Sequence, residues 1–165
     1  MKHTSNFLSS SAFFAPPHLR VRIFQLIFFF LLASPAFAQS TADQIETLLN
    51  TRAVTYAQAA RFILQAADIT VTEDPFQYAM QQKWLGKNAS ADETARLDGV
   101  ALLVMRTFDI KGGFLYSISK NSHYAYRELV YQDVIQGRID PVMPVSGDTL
   151  LYIINRILSK IEEEI

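Results

Sequence analysis

Residues 122–158 read SHYAYRELVYQDVIQGRIDPVMPVSGDTLLYIINRIL, and the fold class follows from how this stretch is parsed. Its first part, Ser122 to about Ile135, sets aromatic and aliphatic residues at helical spacing and stops at Gly137. Arg138 to Pro144 contains Pro141 and Pro144 and predicts an extended linker, because proline cannot continue a hydrogen-bonded helix. From about Ser146 a second helix is expected, with Leu150, Ile153, Ile154, Ile157 and Ile161 turned inward. Asn155 lies on that helix, and its amide either sets register from within or points outward. The closing acids Glu162, Glu163 and Glu164 oppose the negative end of the helix dipole, so this end is expected to fray.

Working back along the chain, weaker copies of the same unit precede it. Thr41 to Gln44 and Thr55 to Gln58 both have the Thr-x-x-Gln form of a capping box, predicting helices to about Asn50 and Asp68. The second of these carries Ala59, Ala60, Ile63, Ala66 and Ala67 on one face, and its small residues imply close helix approach. Ile69 to Thr72 reads as extended. Asp74-Pro75-Phe76-Gln77 then aligns an acidic N-cap, a proline at the first helical position and a glutamine two residues on, opening a third helix that ends at Gly86. Ser90 to Glu93 is expected to open a fourth, with Leu97, Val100, Ala101, Val104 and Phe108 on its stripe and Gly112-Gly113 as its stop. Phe114 to Ser119, FLYSIS, alternates and is expected as a short strand or extended crossing.

The expected fold is all-α: six helices as three helix-pair repeats in a compact bundle, joined by short extended linkers. Ala60, Ile63, Leu64 and Ala67 align with Ala101, Val104, Met105 and Phe108, and these with Leu151, Ile154, Asn155 and Leu158. Phe76, Ala79, Met80, Trp84 and Leu85 align with Tyr126, Leu129, Val130, Val134 and Ile135. A recurring supersecondary unit of this kind is the mark of a repeat architecture.

The pattern resembles the S-layer homology module. The resemblance spans about Thr41 to Leu158 and is carried chiefly by Ala125-Tyr126 through Val134-Ile135, Gly137, Asp140-Pro141 and Pro144-Val145-Ser146 before the last apolar helix. It implies three helix pairs in a pseudo-threefold bundle and attachment of an exported protein to a cell-wall polymer. That family binds the wall through a Thr-Arg-Ala-Glu motif opening the second helix of each repeat. Here the matching places read Thr55-Tyr56-Ala57-Gln58, Ala95-Arg96-Leu97-Asp98 and Val145-Ser146-Gly147-Asp148, so the motif is not kept and only Arg96 is similar to its arginine.

Residues 1–38 carry Lys2, Arg20 and Arg22 with no acid, then the apolar run Ile23 to Leu32, then Ala36-Phe37-Ala38. A basic start, a short apolar core and a small-x-small end are the parts of a secretory signal peptide, with cleavage expected between Ala38 and Gln39. The apolar run is shorter than the roughly 20 residues a membrane-spanning helix needs. The expected organisation is therefore a signal peptide, 1–38, and one helical domain, 39–165, in the periplasm or on the envelope. Without the signal the chain is mildly acidic, at about −4, and offers no basic stripe for nucleic acid.

The chemical inventory is sparse. There is no cysteine, and beyond the signal the only histidine is His123, expected at a helix start as an exposed or capping residue. Cys/His catalysis and a multi-histidine zinc site are thereby excluded, and no metal or small-molecule cofactor is expected. The acids Glu73, Asp74, Asp92, Glu93 and Asp98 fall mostly at helix starts, where capping and the dipole favour them. No catalytic residue is assigned. Two readings follow: a non-enzymatic envelope module binding cell-wall polymer or a protein partner, and, as the alternative, a small exported hydrolase with two carboxylates about 5 to 9 Å apart in a cleft. For the binding module the expected contact residues are Thr55, Arg96 and Ser146 at the helix starts and Tyr124 and Tyr131 near the fifth helix. Tyr126 and Trp84 are expected in the core with polar tips.

Overall fold

The computed structural model describes residues 35–137 and 140–163, with side chains from residue 42 onward. Residues 1–34, which hold most of the expected signal peptide, lie outside the described residues. The chain divides into a leading segment through Asp43 and a compact unit, Gln44–Ile165.

Among the described residues the structure is all-α, in seven helices rather than six: α1 (Pro35–Leu49), α2 (Tyr56–Ala66), α3 (Pro75–Gln81), α4 (Leu97–Thr107), α5 (Phe114–Ser119), α6 (Ser122–Tyr131) and α7 (Gly147–Glu163). None is long and apolar enough to cross a membrane. The additional helix is α5, so the strand expected over Phe114–Ser119 is a correction. Its alternation arises because a six-residue helix buries a single side chain, Tyr116, and leaves the rest outside.

Two starts also differ. α1 already runs through Thr41, so the first Thr-x-x-Gln does not open a helix. At Ser90–Glu93 half of the box forms, with Ser90 N–H donating to the Glu93 carboxylate at 3.3 Å, but the chain makes a turn there and α4 begins at Leu97. Thr55–Gln58 behaves as expected: the Thr55 hydroxyl accepts from Gln58 N–H, and the Gln58 side chain accepts from Thr55 N–H at 2.9 Å. Asp74 caps α3 with one such bond, its carboxylate accepting from Gln77 N–H at 3.2 Å, and Pro75 stands at the first position.

The reason α4 starts late is that the residues before it are needed elsewhere. Val54 N–H donates to the Val145 carbonyl (2.8 Å), Val145 N–H to Ala95 (3.0 Å), and Ala95 N–H back to Val54 (2.8 Å). Three extended segments thus close a ring of backbone hydrogen bonds, extended by bridges between Thr55 and Thr94 and between Arg96 and Pro144. Val54, Ala95 and Val145 are buried. A buried amide left unpaired costs roughly 1–3 kcal/mol, so the ring is what lets these segments pass through the interior.

α2 closes near Asp68 as expected, whereas α3, α4 and α6 stop before the glycines expected to end them. Asp68, Lys83, Asp109 and Asp133 take left-handed backbone, with φ of 56°, 59°, 48° and 57°. The next residue's N–H then reaches back five positions, from Ile69 to Leu64, Trp84 to Ala79, Ile110 to Met105 and Val134 to Leu129, each at 2.9 Å. This is the Schellman closure, in which an apolar residue after the left-handed one folds onto the helix. Aspartate tolerates that backbone better than most side chains.

α4 is the centre of the core, with every residue from Leu97 to Met105 buried. It packs on α6 and α2; α2 also carries α3 and α7, and α5 leans on α6. α7 turns Leu150, Ile153, Ile154 and Ile157 inward as expected, whereas Ile161 is exposed and Asn155 points to solvent. Tyr126 is buried, and Trp84 packs partly buried against the core, edge-on to Tyr78.

Candidate functional site

The backbone ring determines where the helix-start residues stand. Thr55, Arg96 and Ser146 each follow a ring residue directly and precede α2, α4 and α7. Thr55 and Ser146 are occupied by capping: Thr55 Oγ1 accepts from Gln58 N–H at 3.3 Å, and Ser146 Oγ accepts from Thr149 N–H at 3.2 Å and pairs with the Thr149 hydroxyl at 2.8 Å. Arg96 is also an N-cap residue but makes no capping hydrogen bond with its side chain. Its Nη2 instead donates to Asp98 Oδ2 at 3.1 Å, with the arginine side chain 46% exposed.

Asp98 is the one buried charged residue among the described residues. Besides Arg96, its Oδ2 accepts from Ser122 Oγ at 3.0 Å, and its backbone N–H donates to the Pro141 carbonyl at 2.8 Å. The carboxylate therefore ties the start of α4 to the start of α6, and the Asp98 backbone N–H ties it to the loop before α7. It also lies in the first turn of α4, where the helix dipole favours an anion. Ser122 and Tyr56 belong to this cluster and are absent from the set expected from sequence. The local Arg-x-Asp spacing hints at the ion pair, but Ser122 joins it only through tertiary packing.

Tyr56 lies against α4 where Gly99 leaves room; a side chain at Gly99 would overlap its ring. The hydroxyl accepts from Arg96 N–H at 3.4 Å. Burial pushes the Tyr56 hydroxyl above its ordinary value of 10.0 against the opposing Arg96 N–H, and the charges of Asp98 and Glu93 push it further. The protonated form is thus favoured in the folded state, so this contribution to stability is complete below pH 10 and is lost as pH rises through the raised value. The expected result is that wild type loses more stability between about pH 9 and 11 than Tyr56→Phe does, measured by denaturant titration at each pH. Equal losses would remove Tyr56 from the account.

The remaining expected contacts lie apart from this cluster. Tyr124 and Tyr131 line an open groove between α5 and α6, with Phe114, Leu115, Arg127 and Glu128. His123 is exposed beside Tyr124, ring centroids 5.3 Å apart, and the N-cap of α6 is Asn121. Among the described residues no group of three or more His, Cys, Asp or Glu side chains is placed to hold a metal ion. A wider pocket of about 390 Å³ between Phe108, Asp109, Ile110, Lys111, Gln132 and the end of α7 contains a single acid.

Arg96 stands level with Thr55 and Ser146, at the cap. The residues that follow, Tyr56, Leu97 and Gly147, are all buried. Comparison with family models, with curated proteins and with solved structures gives no match for this chain.

Proposed function

We propose that this protein is an exported, non-enzymatic envelope module, freed of its leader between Ala38 and Gln39, that binds a cell-wall polymer or an envelope protein through the helix starts around the backbone ring. The observation that carries this reading is the position of Arg96: an exposed guanidinium at the ring, oriented through one nitrogen by a buried carboxylate, with further N–H donors to offer. Such a group suits the paired hydrogen bonds by which arginine holds a carboxylate or phosphate of a wall polymer or partner.

The finer architecture belongs to the same proposal. In three helix-pair repeats of the S-layer homology kind, the helix starts Thr55, Arg96 and Ser146 are equivalent, at intervals of 41 and 50 residues. The ring residues Val54, Ala95 and Val145 keep those intervals. So do the left-handed stops, Asp68 with Asp109 and Lys83 with Asp133. Ring positions with their adjoining helix starts, and left-handed stops, share the intervals 41 and 50, which favours repetition over the chance alignment of apolar stripes.

The test is retention of the processed protein on isolated wall sacculi and on whole-envelope extract. Arg96→Ala is expected to weaken retention about tenfold, equivalent to roughly 1.4 kcal/mol. Ser122→Ala loosens the same Asp98 brace while keeping the cation, and is expected to retain binding, as is His123→Ala. Failure of both baits, or a glycan-cleaving activity lost on removing a single acid, would overturn the reading.

A further inference from the structure

We propose that the α5 face is a docking surface for an anionic lipid bilayer, with Phe114, Leu115, Ile118 and Tyr131 entering the headgroup region and Lys111, Lys120 and Arg127 meeting lipid phosphate. α5 turns only Tyr116 into the core. Phe114 and Ile118 are one helical turn apart with Leu115 beside them, so the three share the outer side of the helix. They are 78%, 70% and 52% exposed, and the neighbouring Tyr131 is 84% exposed. A group of large apolar side chains left in water together marks an interaction surface, whereas single exposed residues do not.

The charges around the patch select the occupant. Lys111 precedes α5, Lys120 caps its C-terminus, and Arg127 lines the same groove as Phe114 and Tyr131; all three are exposed. The acid in that groove, Glu128, is turned back onto the protein: it accepts from Gly113 N–H at 2.8 Å and from Gln132 Nε2 at 3.0 Å. Asp109 is the other acid nearby, beside Lys111. The patch is therefore rimmed by net positive charge on a chain whose formal charge is −1. A second copy would bring one basic rim against another. Apolar side chains that stand out from the surface, a tyrosine at their edge and a basic rim match peripheral seating on anionic lipid. This surface is separate from the Arg96 cluster, and its test does not involve the wall.

The chain has no cysteine, so a single Ser119→Cys label reports the patch alone. On the protein recovered from cells, an environment-sensitive dye at this position is titrated with phosphatidylcholine vesicles containing about a third phosphatidylglycerol, and with phosphatidylcholine alone. The dye is expected to blue-shift with the anionic vesicles only, and the shift to fade as salt is raised. The same dye at Gln65→Cys on α2 is expected to stay unchanged. Phe114→Ser with Ile118→Ser is expected to weaken vesicle partition at least about tenfold, and Lys120→Gln or Arg127→Gln about fivefold each. All four side chains are exposed, so circular dichroism is expected to match wild type. An equal response at Ser119 and Gln65, no response to anionic vesicles, or unchanged partition of the Phe114/Ile118 variant would overturn the proposal. So would a lipid-free dimer abolished by the same variant, which would assign the face to a second copy.

Discussion

Gly147→Ala is expected to destabilise the protein by about 3 kcal/mol or more, lowering the thermal midpoint by on the order of 10 °C. Gly147 opens α7 directly against the end of α1, where a Cβ would overlap the backbone carbonyl of Leu48. The obstacle is main chain, so rotamer changes cannot relieve it. Moving the two segments apart would also break the hydrogen bond from Gly147 N–H to the Thr51 carbonyl, 2.9 Å, next to the Val54–Val145 contact of the ring. Helix propensity alone argues the other way, since alanine is favoured over glycine by about 1 kcal/mol inside a helix. The sign of the change therefore decides between local preference and close approach. Gly86→Ala is the control, because nothing lies near that Cβ, and it is expected to shift stability by less than about 0.5 kcal/mol. A Gly147→Ala protein as stable as wild type would mean that α7 does not start where the structure puts it.

Leu103→Ala is expected to cost about 2 to 5 kcal/mol, read from the midpoint of denaturant unfolding. Leu103 is fully buried at the middle of α4, the helix that packs on both α2 and α6, so the vacated volume is walled on several sides and closes poorly. Leu115→Ala makes the same chemical change on α5, where the leucine is half-exposed, and is expected to cost less than about 0.5 kcal/mol. The contrast between two identical substitutions tests the burial assignment independently of what either helix binds. Similar losses at the two positions would mean that α4 is not the centre of the core.

The sequence by itself determined what short-range chemistry can determine. It settled the all-α class, the Thr55–Gln58 box and the Asp74-Pro75 start of α3, because a cap involves side chains and amides within three residues of each other. It also placed Ile153, Ile154 and Ile157 inside, since their spacing leaves one consistent apolar face on α7. The ends of α3, α4 and α6 were misread toward glycine because left-handed closure needs only a backbone that aspartate, and here Lys83, also adopts, with an apolar residue after it.

Tertiary structure decided the rest. α4 begins seven residues after Ser90 because Ala95 and Arg96 are held extended by partners about 40 and 50 residues away, at Val54, Pro144 and Val145, which no local propensity encodes. Phe114–Ser119 is a helix because α6 supplies a surface for Tyr116, while its other apolar residues lack core to enter. Asp98 has the spacing of an ordinary first-turn acid; it becomes a buried brace only when Ser122 and Pro141 close over it beside Arg96. Local hydrogen bonds can be read from neighbours in sequence, whereas burial and pairing across the ring depend on which distant segments arrive at the same place.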